Sequence, residues 1–413
     1  GWFAWRAHRR ATIAVATVAR AALPALAFLA LQAVVNKWLT GESSAAGGIV
    51  KLALNNPFMT PGEKWDDYVF HLSYCVRRNL EHHFASVPYA GFIPVALALA
   101  GVVSRRTRGA AVLLLCSSVS FILMVAMNGQ VRWQNDRYAM PALAWLLLAA
   151  ALGAGALGAL PAGAAPRARR LRLVGLAAAG VALATFGWNQ APRFREQVWF
   201  FGRASRNILE QHVRVGLLLR HALTPRPRRV AVGDAGAIPY VADLPALDLI
   251  GLGGYHDLPF VRAKRHGLGA VVELLERMPG DERPDLFALY PSWWDALPIW
   301  FGQPIGEVEV HGNVICAGAA KVLYRPDYSA FDGSASPVGL EPGAVVLDEM
   351  DVADLVSERR HDYGWSPPGV GHVDMKLLPD PRRPAQPLWD AGRSVPAGAT
   401  ERFSLRTPGA GRP

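Results

Sequence analysis

Cysteine is nearly absent: Cys75, Cys116 and Cys316 are the only three among 413 residues. They form no metal-binding or redox spacing, and Cys116 lies inside an apolar run, so neither a zinc site nor a disulfide scaffold is expected. Only Cys75 and Cys316 could share an outer compartment, and a bridge between them is not the expectation. Charge is the second scarcity. Charged residues make up 18% of the chain and hydrophobic ones 51%, too apolar for a soluble protein of this length. With a mean hydropathy of +0.16 the chain is also too polar for membrane helices alone. One membrane part and one aqueous part are expected. Acidic residues are outnumbered 33 to 43, giving a net charge of +10 and a pI near 9.8. Much of the excess sits in short blocks beside apolar runs: Arg6-Ala7-His8-Arg9-Arg10, Arg105-Arg106-Thr107-Arg108 and Arg167-Ala168-Arg169-Arg170. Blocks so placed are topology signals, and nucleic-acid binding is discounted. There is no initiator Met and no signal-peptide layout at Gly1-Trp2-Phe3-Ala4-Trp5, and the chain stops just after a strand-like Glu401-Arg402-Phe403-Ser404-Leu405. It reads as the later part of a longer protein.

What is abundant is long apolar runs. Spans are expected over 12–35, 87–103, 110–126, 138–160 and 171–188, each near the ~20 residues that cross a hydrocarbon core. The basic blocks fall before the first span, between the second and third, and between the fourth and fifth. An alternating path puts all three on one side, which the positive-inside rule makes cytoplasmic. Residues 36–86, 128–137 and everything after 189 then face outward. The expected fold class is a multi-span α-helical membrane protein with a C-terminal extracytoplasmic α/β domain and the start of a β-rich module. Its parts are a transmembrane region over 1–190, an α/β domain over 191–332, and a linker with an incomplete module over 333–413.

Between the third and fourth spans lies Arg132-Trp133-Gln134-Asn135-Asp136-Arg137-Tyr138. Arginine in a short outer turn runs against the usual bias, and binding of an anion at the membrane surface is one reason to keep it. The other reading is that Arg132 and Arg137 touch lipid headgroups while Trp133 and Tyr138 form an aromatic belt. Asp136, beside two arginines, is expected to have a lowered pKa and to accept protons poorly. In the outer loop, Thr60-Pro61-Gly62-Glu63 is a capping box opening an amphipathic helix that lies in the headgroup layer. Asp66 and Asp67 could be an acid/base pair, but neighbours on a helix diverge and early carboxylates suit the helix dipole. Glu81, His82 and His83 diverge in the same way, so interfacial solvation is preferred to a metal site and none is expected.

Past Trp188-Asn189-Gln190 an amphipathic helix is expected over 194–223, then alternating strands and helices. Strands are expected at 229–233, 246–250, 284–290, 308–310 and 320–324, with a helix over 261–278, an order that argues for a small α/β domain with a largely parallel sheet. Gly233-Asp234-Ala235-Gly236 and Gly251-Leu252-Gly253-Gly254 lack the full dinucleotide spacing and read as tight turns. Asp234, Tyr240, Asp248, Tyr255, His256 and Asp257 gather at the ends of two adjacent strands. Carboxylates with aromatics suit a sugar-binding crevice; ordinary strand-end capping is the plainer account of the same residues.

Arg137-Tyr138-Ala139-Met140-Pro141 resembles the later outer loops of GT-C class membrane glycosyltransferases. The stretch from Val232 through Gly233-Asp234-Ala235-Gly236-Ala237-Ile238-Pro239 to Tyr240, with Asp248-Leu249-Ile250-Gly251-Leu252 after it, is similar to the outer domain of their bacterial branch. That branch includes the mycobacterial arabinofuranosyltransferases of cell-wall arabinan, and the likeness covers residues 1 to about 330. The resemblance implies a bacterial plasma-membrane enzyme with a polyprenyl-phosphate sugar as donor and an envelope glycan or lipid as acceptor. It implies that Arg137 or Arg132, with Tyr138 beside them, holds the lipid phosphate. It also implies a general base on an outward aspartate near the first membrane helix, a segment this sequence lacks, so the chain alone is expected to bind donor weakly and not to transfer. The alternative is a non-catalytic scaffold or carbohydrate-binding protein of envelope assembly.

Overall fold

A computed structural model describes residues 15–81, 90–158, 166–294, 296–331, 345–378 and 388–406. The chain divides into two compact units. The first takes in the chain up to Leu31, Lys51–Leu54 and Pro61–Phe201; the second takes in Gln32–Val50, Asn55–Thr60 and the chain from Gly202 on.

The N-terminal part is helical. In chain order come α1 (Val15–Thr40), α2 (Ala46–Lys51), α3 (Pro61–Glu81), α4 (Phe92–Val103), α5 (Arg108–Val125), α6 (Met140–Gly158) and α7 (Pro166–Ile208). Among the described residues, four helical stretches are long and apolar enough to cross a membrane: Leu23–Thr40, Arg108–Val125, Arg137–Gly158 and Arg169–His221. The expected second span is represented by α4, whose 12 apolar residues are too short for that alone; residues 82–89 lie outside the described ones. The expected helices over 171–188 and 194–223 form one continuous run. It passes through Pro192, a π-helical turn at Leu209–Val213, and on into α8 (Arg214–His221). Asn189 and Gln190 are polar but not helix breakers, so polarity changed there without ending the helix.

Helices α4 and α6 meet backbone to backbone, since a Cβ on Gly153 would fall on the carbonyl of Leu97 and one on Gly101 would lie 3.2 Å from the Gly153 nitrogen. Small residues allow this close approach of two helix backbones. Ser118 on α5 adds a 2.8 Å hydrogen bond to the Ala142 carbonyl of α6. Gly153→Ala should therefore cost about 1–3 kcal/mol through overpacking. A lowered midpoint in thermal unfolding of the detergent-solubilised protein is the expected result, and an unchanged midpoint would show that the contact carries no weight.

The second unit is built on a five-stranded sheet of order β2-β1-β3-β5-β4. Its strands are β1 (Val230–Val232), β2 (Ala246–Asp248), β3 (Leu286–Leu289), β4 (Gly302–Glu309) and β5 (Ala320–Pro326). The first three are parallel, as the alternation of strand and helix implies. Strands β5 and β4 return antiparallel, making the sheet mixed. Helices α9 (Ala237–Ala242), α10 (Phe260–His266), α11 (Leu268–Arg277) and α12 (Ala296–Phe301) complete this part. The single helix expected over 261–278 is two, because Gly267 at φ +137 breaks it, and a Cβ there would collide with the Val373 carbonyl.

The start of the expected linker and module, 333–344, lies outside the described residues. Beyond it come α13 (Leu355–Arg360) and two antiparallel pairs, β6 (Gly364–Ser366) with β9 (Thr400–Arg402) and β7 (His372–Leu378) with β8 (Leu388–Ser394). Val373, Trp389 and Ala391 share one buried cluster with Leu247, Phe287 and Leu275 of the α/β part.

Candidate functional site

The arginine turn of the first unit is assembled from three places in the chain. A backbone bridge between Leu52 and Asn128, and a 2.9 Å bond from Gly129 N to the Lys51 carbonyl, bring the end of α2 alongside it. Helix α3 supplies the other wall. Its Cys75, with Leu72 and Tyr74, packs on Ile122, Val125, Val131 and Ala139. That packing uses only part of the apolar side of α3, since Trp65, Val69, Phe70 and Val76 stay exposed.

Asn135 and Asp136 both take left-handed backbone conformations, φ 62° and 56°, which short polar side chains tolerate best. The turn this makes directs Asp136 inward, where it is 4% exposed. There it accepts hydrogen bonds from the Tyr74 hydroxyl at 2.7 Å and from Arg78 Nε at 3.2 Å. Burial, followed by this bond and the Asp136 charge, pushes the Tyr74 hydroxyl up to about 12. Asp136 thus answers Arg78, a residue the sequence did not single out, as well as neighbouring its own two arginines. Asn135 bonds Gln197 of α7.

The cations of the turn separate into two settings. Arg132 lies over two rings of α3, 5.0 Å from the centre of Phe70 and 4.6 Å from that of Tyr74. Arg137 is exposed and donates to the Tyr138 hydroxyl at 3.2 Å. Lys51 Nζ donates to the same oxygen at 2.8 Å. Both cations therefore donate to one neutral oxygen, which places two positive charges where an anion could be received. Lys51 was legible only as the one charge in an apolar run.

Of the carboxylates on α3, Asp66 is exposed, and Asp67 bonds His71 Nδ1 at 3.1 Å, one helical turn on. Asp67 also lines a cavity of about 620 Å³ with Trp65, Tyr68, Leu54 and Met127. Glu81 ends the helix, exposed; His82 and His83 lie outside the described residues. No group of three or more His, Cys, Asp and Glu side chains able to hold a metal occurs among the described residues, and all three cysteines are free.

In the second unit the six candidate residues disperse. Asp234 follows the carboxyl end of β1. Tyr240 stands 87% exposed on α9. Asp248 is buried and caps its own turn, accepting from Ile250 N at 3.0 Å and Gly253 N at 3.2 Å; burial raises its pKa and these bonds hold it back. Tyr255 lies toward the opposite, amino-terminal side of the strands, under the Arg229 guanidinium at 5.0 Å and bonded to Glu282. His256 joins it, 3.7 Å from Glu282, and Asp257 is exposed. Asp234 and Asp248 thus stand at the ends of the adjacent strands β1 and β2, while Tyr255 and His256 meet Glu282.

Around Asp234 the structure instead gathers residues from three other segments. The π-helical turn carries Gln211 and His212, both buried; such turns recur at functional positions. Tyr290, just past the end of β3, donates its hydroxyl to Gln211 Oε1 at 2.6 Å and lies 2.8 Å from His212 Nε2, which supplies the N–H of that pair. His212 Nε2 is also 3.5 Å from Asp234 Oδ2. Lys321, at the start of the antiparallel neighbour β5, lies over the Tyr290 ring at 3.9 Å and is 0% exposed. Its Nζ has no hydrogen-bond acceptor among the described residues. Burial pushes Lys321 down to about 8, with the Asp234 charge and Cys316 opposing; burial likewise raises Asp234. No spacing rule could have found this set, which spans more than a hundred residues of chain.

Residues 206–337 match a family model described as a domain of unknown function, DUF8728, a stretch that holds the whole cluster from Gln211 to Lys321. Among curated proteins and among solved structures, no match to the chain was found.

Proposed function

We propose that this chain belongs to a membrane glycosyltransferase of the GT-C class, akin to the mycobacterial cell-wall arabinofuranosyltransferase branch. It moves a sugar from a polyprenyl-phosphate donor to an envelope glycan or lipid acceptor at the outer face of the bacterial plasma membrane. In this reading the apolar helices are a multi-pass anchor, and the second unit is extracytoplasmic, as the three basic blocks on one side require.

The observation that carries the reading is the convergence of Lys51 and Arg137 on the Tyr138 hydroxyl. It occurs where the apolar stretch Arg137–Gly158 begins. Transfer breaks the bond between the anomeric carbon and the phosphate oxygen, and the leaving phosphate keeps the electron pair. Fixed positive charge at that oxygen lowers the barrier. The new bond forms from the acceptor hydroxyl oxygen, whose proton passes to a general base. Lipid-linked donors suit this chemistry because no nucleotide sugar is supplied outside the membrane.

The test is binding. The chain, reconstituted in nanodiscs, is titrated with a synthetic polyprenyl-phosphate sugar and, separately, with the uncharged polyprenol of equal length. The phosphate should bind tighter by at least about tenfold, the worth of one charge-assisted hydrogen bond. Equal affinity for the two would remove the phosphate site and favour a non-catalytic scaffold.

A further inference from the structure

A buried ammonium with no acceptor is costly, and proteins keep one where something else completes it. Lys321 is such a group. Its position follows from the sheet: β1 and β3 are parallel, and β5 runs antiparallel beside β3 with Val322 opposite Leu289. Lys321, Tyr290 and Asp234 therefore all stand at the carboxyl edge of the parallel strands. From β1 the chain moves out to β2 on one side and then crosses to β3 on the other, so the carboxyl edge between β1 and β3 is the topological switch point where open α/β sheets place ligands.

The supports around Lys321 are already satisfied. Tyr290 gives its proton to Gln211 and receives one from His212. Gln211 Nε2 in turn lies 3.2 Å from the Val308 carbonyl. What remains unspent is the donor capacity of the buried Lys321 and the acceptor capacity of Asp234, whose side chain is 40% exposed. An anion would be drawn to Lys321 and repelled by Asp234. A neutral molecule with adjacent hydroxyls satisfies both, because each hydroxyl can accept from an ammonium and donate to a carboxylate. The helix that follows the Asp234 turn also presents Tyr240, 87% exposed, an aromatic face of the kind sugar rings stack on.

We infer that the carboxyl edge of the sheet is a sugar site, in which Lys321 donates to one ring hydroxyl and Asp234 accepts from its neighbour. The inference is independent of the lipid-phosphate site, and Arg137→Ala should leave it intact.

The probes are the methyl glycosides of arabinofuranose, galactofuranose, mannopyranose and glucopyranose, offered to the full chain in detergent. Saturation-transfer NMR and calorimetry read binding, and thermal unfolding reads the fold. At least one glycoside should bind the wild-type protein, and Lys321→Met and Asp234→Asn should each weaken it about tenfold or more. Without ligand, Lys321→Met should unfold no lower than wild type, since it removes a buried charge that has no hydrogen-bond acceptor among the described residues and keeps the volume. No glycoside bound by the wild-type chain would overturn the site. So would a Lys321→Met protein that unfolds earlier yet binds as before. Should Lys321→Met lose both fold and binding, Asp234→Asn decides: folded and deficient supports the site, folded and competent overturns it.

Discussion

Glu358→Gln should destabilise the second unit by about 3–5 kcal/mol, the cost of leaving one member of a buried ion pair alone. Glu358 and Arg393 form a two-pronged pair, with Nε–Oε1 and Nη2–Oε2 both 2.6 Å. The Arg393 side chain is 0% exposed. Its guanidinium also lies 4.4 Å from the centre of the Trp365 ring, bonds the Gly371 carbonyl and approaches His266 Nδ1 at 3.0 Å. His266 must accept there, and burial followed by the Arg393 charge pushes it down to about 3. Glutamine keeps the oxygen that accepts from Ala353 N, so the variant isolates the charge from the local turn. Chemical denaturation of the wild type, of Glu358→Gln and of the double variant Glu358→Leu with Arg393→Met measures it. The double variant should regain most of the loss, because two apolar side chains leave no buried charge. A Glu358→Gln protein as stable as wild type would mean water reaches the pair.

Arg137→Ala should cost about 1.5–3 kcal/mol in donor binding or transfer, roughly ten- to a hundredfold, the value of one hydrogen bond to a charged oxygen. Arg137→Lys should recover only part, because a point charge lacks the two-pronged fork. Lys51→Ala should fall in the same range. On the proposal that both cations reach one phosphate, the double variant should lose less than the sum, because the two already converge on the Tyr138 hydroxyl. Arg132→Ala should matter less, because that guanidinium lies over the Phe70 and Tyr74 rings. Affinity for a synthetic polyprenyl-phosphate sugar is the readout. Unchanged values for Arg137→Ala at normal expression would end its role and pass the question to Lys51.

The apolar runs and the parallel strands were legible because each is a local property. Eighteen apolar residues at 108–125 have few alternatives to a helix, and Val230-Ala231-Val232 between turn residues has few alternatives to a strand. The arginine turn was legible for a similar reason, being charge trapped between two such runs. Length and continuity were less so: Pro192 and Asn189 did not stop α7, since helix ends are set by competing partners as much as by propensity.

The partners of the candidate sites belong to tertiary structure. Lys51 and Tyr138 are 87 positions apart, and the pairing depends on a backbone bridge that no periodicity encodes. Lys321 read as one polar residue in a strand, and His212 as one in an amphipathic helix. Only the packing of that helix against the sheet edge, with β5 returning antiparallel beside β3, placed them around Tyr290. The sequence by itself determined which segments are apolar, which are charged and in what order strands and helices come, because these follow from side-chain chemistry within one turn or one pleat. Which charges would meet, and which would be buried without an answer, was decided by long-range closure of the chain, whose cost only the assembled core offsets.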